Sequence, residues 1–465
     1  MHLNMKRTSL RKISVGMWPV VLMGALLSLW PSAASALSVK DAQSAFDKKQ
    51  YQEALDLVEQ IIKEKGPQSD ARRLKVRSFI NLGKPKEALV EYDQLEQELK
   101  RDDPALLREV AVGFVYVLVQ DMREQMRGAA YTALKDIDSP ETIPFLEDGL
   151  SDGSGLVRAL AAEALGKLEA GRRSPRLRNA LEDQAGLVKV AVLKVLGKSG
   201  DRSVIPLLER AFKDEQPVVR LAAAGALYRT GQTAMWETVR QAASAQNPEE
   251  RATALRMIGE LKDARGLPIL LEAVTHTQPS VRGAAVAALG DMGKVQGISA
   301  LEHALEDKIP AVKTSAAISL GDLGMKDSLP ALRSALADPN PVVKAAVVSA
   351  LLRVGEPFES VGAELYELAQ NNDPGTRSAT AKAVGRAHGT STKPAIEFLA
   401  GMMKDPIPRP RIAAARALGQ IGLVEALPIL KGALHDEDDA VRATAGGAVA
   451  RIMSHSKRSS NHAKS

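Results

Sequence analysis

Few residues of this 465-residue chain stand in an arrangement that could do chemistry. Glu302, His303 and Glu306 fall within one turn of a predicted helix, where carboxylate and imidazole groups could supply two ligands to a metal ion. The sequence shows no second helix that adds ligands to this cluster. A solvated helix face is therefore the favoured interpretation, and a metal-dependent enzyme is kept as an alternative.

The sequence offers no other recognisable catalytic centre. It contains no cysteine, which excludes disulfides, thiolate metal sites, cysteine nucleophiles and a lipoprotein anchor. No glycine-rich phosphate loop follows a strand, and no Ser or Lys stands in a nucleophile motif. We expect neither a cofactor nor an enzymatic reaction, with one alternative: a site assembled from distant parts of the chain would escape an argument from spacing.

The strongest signal is a basic residue that recurs eleven times. The interval between successive ones is 31 residues seven times, and then 33, 34 and 31. Such a period indicates two-helix units, each of which buries its apolar face only against its neighbours. We predict an all-α chain built as an elongated α-solenoid of about eleven helix-turn-helix units. The recurring residues are Arg127, Arg158, Lys189, Arg220, Arg251, Arg282, Lys313, Lys344, Arg377, Arg411 and Arg442.

Other positions of the period predict the helix ends. Eight residues after the basic residue most units carry glycine, such as Gly197, so the first helix (helix A) is thin and a neighbour can lie close. Glycines such as Gly200, three residues further on, suit a left-handed C-cap of helix A. Prolines such as Pro206 fit the first turn of the second helix (helix B).

The recurring cation needs a nearby anion, because it lies near the amino end of helix A, where the helix dipole disfavours positive charge. An Asp six residues upstream is the expected partner, and such pairs in register would form a ladder between adjacent units. We expect the ladder to be weakest where Ala245 and His276 replace the Asp. The residues assigned to it are Arg158, Lys189, Arg220, Lys313, Lys344 and Arg442 with Asp152, Asp183, Asp214, Asp307, Asp338 and Asp436.

The two ends of the chain differ from the repeats. Residues 1–36 combine four cations, an apolar run from Pro19 to Trp30 and small residues at Ala34 and Ala36, which predicts a secretory signal cleaved before Leu37; an uncleaved anchor is the alternative. Residues 37–103 carry Glu-Ala-Leu twice, 34 residues apart, and are expected to form a cap. Residues 104–120 are predicted to be a buried junction helix, 121–453 the solenoid, and 454–465 a disordered basic tail.

The repeat resembles a known family. The pattern Asp, Pro, Val-Arg, Ala-Ala, Ala-Leu-Gly, Gly, Ile-Pro-x-Leu is similar to the short HEAT-like repeats named after phycobilisome lyases, over about residues 121–453. The two Glu-Ala-Leu segments resemble tetratricopeptide repeats. The family resemblance implies the fold and leaves function open. Deoxyhypusine hydroxylases share this type of repeat and bind iron through His-Glu dyads, which are absent here, and bilin lyase activity would need phycobiliprotein partners that an exported protein does not meet.

Charge argues against a nucleic-acid partner. The formal charge is +6, but four cations lie in residues 1–36 and three in the tail, and only 3% of residues are aromatic. A nucleic-acid solenoid would carry a cationic stripe with stacking aromatic residues. Binding of a polyanion through the basic tail remains an alternative.

The sequence favours an exported, non-enzymatic scaffold, periplasmic or else extracellular, that binds an envelope or secreted protein. Mature protein is expected to have no membrane span. HEAT-like solenoids commonly line their concave face with helix B, so the expected partner surface is the helix-B face near two irregular intervals after Lys344. Phe358 and Tyr366 lie in these intervals, and each is expected to serve either as a core residue or as an interface residue. The surface candidates are Arg178, Arg210, Lys213, Arg240, Glu302, His303, Arg333 and Lys431.

Overall fold

The computed structural model describes residues 37–462, and the side chains of residues 37–454. All regular elements of this part of the chain are helical, which confirms the all-α class. None of the described helices is both long and apolar enough to cross a membrane. The predicted signal in residues 1–36 lies outside the described residues.

Within the described part of the chain, which starts at residue 37, five helices precede the repeats. The first four pack as two successive helical hairpins, and Ala54 and Ala88 of the two Glu-Ala-Leu segments are fully buried between them. The fifth begins at Pro104, behind the N-cap residue Asp103, whose side chain accepts a hydrogen bond from the amide of Leu106. These helices are α1 Val39–Asp47, α2 Tyr51–Lys65, α3 Ser69–Asn81, α4 Pro85–Leu99 and α5 Pro104–Tyr116, with a 3-10 turn at Val117–Gln120.

Eleven helices form the helix-A series, one for each recurring cation. Proline starts most of them, and several end at a left-handed glycine such as Gly200, as the sequence predicts. Their bounds are α6 Glu124–Ile137, α8 Gly155–Lys167, α11 Gly186–Ser199, α13 Pro217–Arg229, α15 Pro248–Leu261, α17 Pro279–Met292, α19 Pro310–Leu323, α21 Pro341–Val354, α23 Pro374–Val384, α25 Pro408–Ile421 and α27 Asp439–His462.

The helix-B series is shorter, and a 3-10 turn precedes most of its members. Unit 2 replaces the regular helix by two short pieces and a 3-10 turn at Ala180–Glu182. The helices are α7 Ile143–Gly149, α9 Glu169–Arg172, α10 Pro175–Asn179, α12 Ile205–Ala211, α14 Met235–Ala242, α16 Leu267–Ala273, α18 Ile298–Ala304, α20 Leu329–Ala335, α22 Gly362–Ala369, α24 Thr392–Met402 and α26 Leu427–Ala433. The preceding 3-10 turns are Pro140–Thr142, Arg202–Val204, Ala264–Gly266, Val295–Gly297, Lys326–Ser328, Phe358–Val361, Gly389–Ser391 and Val424–Ala426.

Small residues bring consecutive A helices into backbone contact. A Cβ added to Gly197 would lie only 2.7 Å from the Cα of Ala226 in the next unit, and one added to Gly259 only 2.6 Å from the Cα of Ala288. A typical A helix such as α11 buries seven of its 14 residues, whereas a B helix such as α12 buries only Leu208. The A helices therefore form the close-packed layer, and the B helices form the exposed one.

The units from α6 to α27 close into a ring. The last A helix, α27, packs against both α5 and α6, and a Cβ on its Gly447 would lie 3.0 Å from the Cβ of Ala133 in unit 1. Helix α5 also lies along α27, with the backbone of its Ala111 close to Gly446. The expectation of an elongated stack is wrong, because a small rotation per unit accumulates over the eleven units until the ends meet.

Ion pairs fasten this seam between the two ends of the repeat array. Arg123, ahead of unit 1, contacts Asp439 at the start of α27 at 3.2 Å. Lys431 of α26 binds Glu96 of α4 and also Asp102, the latter at 3.0 Å. The amino-terminal helices thus pack onto the last two units. They do not extend a linear stack.

The last helix runs further than the sequence suggests. Residues 454–465 are predicted to be a disordered tail, but α27 continues to His462, and only residues 463–465 of this segment lie outside the described residues. Elongation of a helix whose first half is already packed requires no new nucleus. A polar sequence can therefore continue it.

Candidate interaction surfaces

The recurring cations form a ladder between adjacent units, but not with the expected carboxylates. Nε and Nη2 of Arg158 donate to the carboxylate of Asp183, 25 residues downstream, at 2.6 and 2.8 Å. Its Nη1 donates to the backbone oxygen of Asp152, six residues upstream, at 2.8 Å. The upstream Asp thus offers its carbonyl group, while its carboxylate binds the cation of the preceding unit. The same pairing joins Arg127–Asp152, Lys189–Asp214, Arg282–Asp307, Lys313–Asp338, Arg377–Asp405 and Arg411–Asp436.

Each ladder aspartate, meaning the carboxylate partner in one of these pairs, also organises its own loop. Oδ1 of Asp183 accepts a hydrogen bond from the amide of Ala185 at 2.8 Å. The hydrogen bond from Arg158 lowers the pKa of Asp183, whose side chain is only 10% exposed. Where the next cation is an arginine, as at Asp152, the loop is held by contacts from the units on both sides, through Arg127 and Arg158.

Three ladder positions lack the carboxylate and hold Ala245, His276 and Asn371, of which the first two are noted in the sequence analysis. Position 245, where the partner of Arg220 would stand, is Ala245, and Nη1 of Arg220 donates instead to the backbone oxygens of Asp214 and Glu215 at 2.9 and 2.8 Å. Arg251 contacts Nε2 of His276 at 2.6 Å. The substitutions noted in the sequence thus leave Arg220 and Arg251 without their carboxylate partners.

Two further cations depart from the ladder. Lys344, for which the sequence predicts Asp338 as partner, contacts Glu367 at 3.2 Å instead, because Asn371 stands where the next ladder aspartate would be. Arg442, in the last described A helix, pairs with Asp439 of its own helix, and its guanidinium lies 5.9 Å from the ring centre of Phe114 in α5. The ladder ends at the seam with a cation-π contact.

Helix A, and not helix B, lines the inside of the ring. Side chains of A helices two units apart touch each other: Lys194 pairs with Glu260 at 2.9 Å, and Arg416 pairs with Asp136 across the seam at 3.4 Å. Two helices that are separated by a third can touch each other only on the inner side of a curved array. The expectation that helix B lines the concave face is wrong, because the small residues of helix A make its layer the shorter arc.

The eight surface candidates consequently do not form one groove. Most are tied in separate pairs on the outer layer: Arg178 with Asp201, Arg210 with Glu182, Arg240 with Glu237, Arg333 with Glu356, and Lys431 with Glu96 and Asp102. Lys213, Glu302 and His303 lie on the same outer layer. These residues surround the ring and do not converge.

No group of three or more His, Asp or Glu side chains within the described residues is placed to hold a metal ion. Glu302 and His303 of α18 and the following Glu306 lie at the outer surface. In the irregular zone Phe358 is buried against Phe398, while Tyr366 lies exposed with its ring edge-on to Phe398 at 5.2 Å between centres.

An exposed apolar row at the inner rim escaped the sequence analysis. Leu156, Leu187 and Val218 stand two residues before the recurring cation in units 2, 3 and 4, and they are 55%, 50% and 43% exposed. Leu187 reaches to 3.8 Å from the position that a Cβ on Gly155 of the preceding unit would take. The sequence does carry a signal for this row, because the same repeat position is apolar in three consecutive units. The solvent-facing start of a helix does not require an apolar residue there. We call these three residues the rim row.

The chain matches a family model described as HEAT repeats over residues 111–188, 174–241, 236–319, 304–384 and 362–450. No curated protein matches the chain. Human deoxyhypusine hydroxylase in complex with glycerol is 21% identical, with 54% of this chain and 97% of that one covered and a TM-score of 0.30. The CpcE–CpcF complex of phycocyanin lyase from Nostoc sp. is 21% identical, with 52% and 94% covered and a TM-score of 0.37.

A third solved structure, Kap95p bound to RanGDP, is 14% identical over 89% of this chain and 63% of that one, with a TM-score of 0.33. Such distant likenesses say nothing about activity. The family model covers most of the chain, from the middle of α5 to the middle of α27. This chain is a member of the HEAT-repeat family.

Proposed function

We propose that this chain is an exported, non-enzymatic scaffold that holds a protein partner at the inner rim of its ring, and that its repeats are of the short type named after phycobilisome lyases. The rim row is the observation that carries the binding proposal. Single exposed apolar residues are normal on protein surfaces, but three in register on adjacent helices form a continuous patch, which typically marks an interaction site.

The spacing of the rim row suggests the shape of the partner segment. Adjacent packed helices lie about 8–10 Å apart, so Leu156, Leu187 and Val218 repeat at roughly that interval. A partner helix that lies across the three residues could contact each of them with one apolar residue of its own. Its apolar residues would then recur every seven positions, which corresponds to a rise of about 10.5 Å. The proposed partner therefore carries an amphipathic helix with apolar residues seven apart.

Export is the second part of the proposal and rests on the sequence of residues 1–36. An oxidising compartment poses no hazard to a chain without cysteine. The absence of a recognisable catalytic constellation in the sequence is the reason for proposing a scaffold. Partner binding and export can be tested independently of each other.

The test of binding uses photo-crosslinking at single positions in the producing cells. A photoreactive residue at 156, 187 or 218 should give the same crosslinked protein, since all three positions would face one partner segment. Val295 and Val424 are equally well exposed but lie in the turns at the other end of helix A, so they serve as matched control positions.

The result should be supported by loss of binding. Leu187→Glu should abolish the crosslink from position 156 and leave the thermal midpoint unchanged, whereas Val424→Glu should affect neither. Different proteins at the three positions, or the same protein at the control positions, would mean that the rim row is not the binding site.

A further inference from the structure

A cavity of about 400 Å³ lies in the inner wall of the ring, where α19, α21, α23 and α25 follow one another. This volume falls within the range of small-molecule sites. Its walls are largely apolar and include Ile318, Val342, Ala346 and Ala383. Ile318 and Val342 are large apolar side chains that remain exposed although they lie on the inner side of the ring. The cavity is separate from the rim row of units 2 to 4.

Four cations and one acid point into this apolar cavity. Asp322 pairs with Arg353, and Arg416 forms an ion pair with Asp136 of unit 1, although its buried Nε donates no hydrogen bond. Lys382 and Arg386 line the same cavity, and among the described residues neither has a carboxylate partner. Positive charge therefore exceeds negative charge at one place on the inner wall.

The excess charge has a clear origin in the repeat. Lys194 and Glu260 show how charge on the inner wall is neutralised elsewhere in the ring. Lys194 is the fifth residue after the recurring cation of its unit, and it contacts Glu260, the ninth residue after the recurring cation two units later. Arg386 occupies the same repeat position as Glu260, and the facing position is Ile318, which cannot neutralise it. The position that faces Lys382 by the same rule is another cation, Arg451.

We propose that this cavity binds a small amphipathic anion, whose carboxylate or phosphate group is held by Lys382 and Arg386 and whose short apolar chain lies against Ile318 and Val342. Both cations can donate charge-assisted hydrogen bonds to an oxyanion, and Arg can do so with two N–H groups at once. Desolvation and, as the smaller effect, electrostatic repulsion by Arg386 lower the pKa of Arg353. A bound anion would reduce this repulsion between the two cations.

The experiment is titration calorimetry of the full chain with octanoate, octyl phosphate, inorganic phosphate and neutral octanol. One of the two octyl anions should bind with one site per chain, and the tighter one identifies the head group. Inorganic phosphate and octanol should each bind at least about tenfold more weakly, because each lacks one half of the recognition. Octanol or inorganic phosphate binding as tightly as the better octyl anion would overturn the proposal, and so would the absence of binding by both octyl anions in the millimolar range.

Variants test whether the site is the one proposed. Arg386→Met and Lys382→Met should each weaken binding of the better anion by about ten- to a hundred-fold, whereas Lys393→Met on the outer helix of the same unit should not. Ile318→Glu keeps both cations but supplies the missing acid at an exposed position, so it should abolish binding with the helix content unchanged. Equal losses in Arg386→Met and Lys393→Met, or full binding by Ile318→Glu, would contradict the assignment.

Discussion

Ala245→Asp should stabilise the ring by completing the ladder between units 4 and 5. Arg220 already donates to two backbone oxygens, as its counterparts do, but position 245 holds no carboxylate for its remaining N–H groups. In the neighbouring units the equivalent Asp183 accepts two hydrogen bonds from Arg158 and one from the backbone amide of Ala185. An Asp at 245 would add the corresponding contacts.

The expected gain is about 1–2 kcal/mol in the free energy of unfolding. A charge-assisted hydrogen bond contributes about 1.5–3 kcal/mol, and desolvation of the pair and ordering of the new side chain offset part of this. The size is measured by denaturant unfolding followed by circular dichroism. Hydrogen exchange in α13 and α15 is measured as well, because a repeat array need not unfold in one step.

Two controls separate the ion pair from other effects. Ala245→Asn can accept the amide hydrogen bond but carries no charge, so it should give less than half of the gain. In an Arg220→Met background, Ala245→Asp should lose most of its benefit. A gain that is equal with and without Arg220, or no gain in exchange protection of α13 and α15, would refute the account of the ladder.

Further predictions concern the ladder and the amino end of the chain. Asp405→Asn leaves Arg377 partly buried without its carboxylate and should destabilise by about 2–4 kcal/mol, whereas Arg210→Ala removes an exposed pair and should cost less than about 1 kcal/mol in the same denaturation assay. The hydrogen bond from the ladder cation lowers the pKa of carboxylates such as Asp405. The stability that the ladder contributes is therefore present above the unfolded-state pKa of about 3.9 and is lost as the pH falls further. Unfolding midpoints measured from pH 6 to 3, about the range of carboxylate titration, should show this loss, and a flat profile would contradict it. Intact mass of exported protein should correspond to cleavage between Ala36 and Leu37, and a full-length chain in the membrane fraction would indicate an anchor.

The period of the sequence predicted the helices well because caps and turns are local. Gly200 needs the left-handed conformation that ends α11, and the proline of Ile205-Pro206 fits the first turn of α12. Gly197 indicated close contact between A helices, and the structure places it against Ala226. Each of these features depends on residues within one unit or in the next.

The ladder partner was misassigned for a reason inherent in repeats. Positions six residues upstream and 25 residues downstream of a cation are the same position of the period, so Asp152 and Asp183 are equivalent candidates for Arg158 in the sequence. Only the three-dimensional packing decides which of them offers a carboxylate and which a carbonyl group. The sequence therefore predicted the residues of the ladder but not its connections.

The inner wall and the ring closure were missed for different reasons. The small residues of helix A did contain a signal, since a layer of thin helices must form the shorter arc, and this argument would have placed Arg386 and Leu187 inside. Closure depends on the sum of small rotations over all units, which no local pattern encodes. The match between Gly447 and Ala133 becomes recognisable only when the two ends have met.

Closure of the ring is measured most directly as a distance between its two ends. Cysteines replacing Met122 and Glu437 would be the only ones in the chain, and both sites are highly exposed. Spin labels there should lie within about 30 Å of each other, because Arg123 and Asp439 touch at 3.2 Å and only a few residues intervene. Gly446→Val should lengthen this distance, since a Cβ at Gly446 would collide with the backbone of Ala111, whereas Gly432→Val has open space and should not. A single short distance confirms the closed ring, and a distance of about 80 Å or more, as expected for a linear stack of helices about 8–10 Å apart, would contradict it.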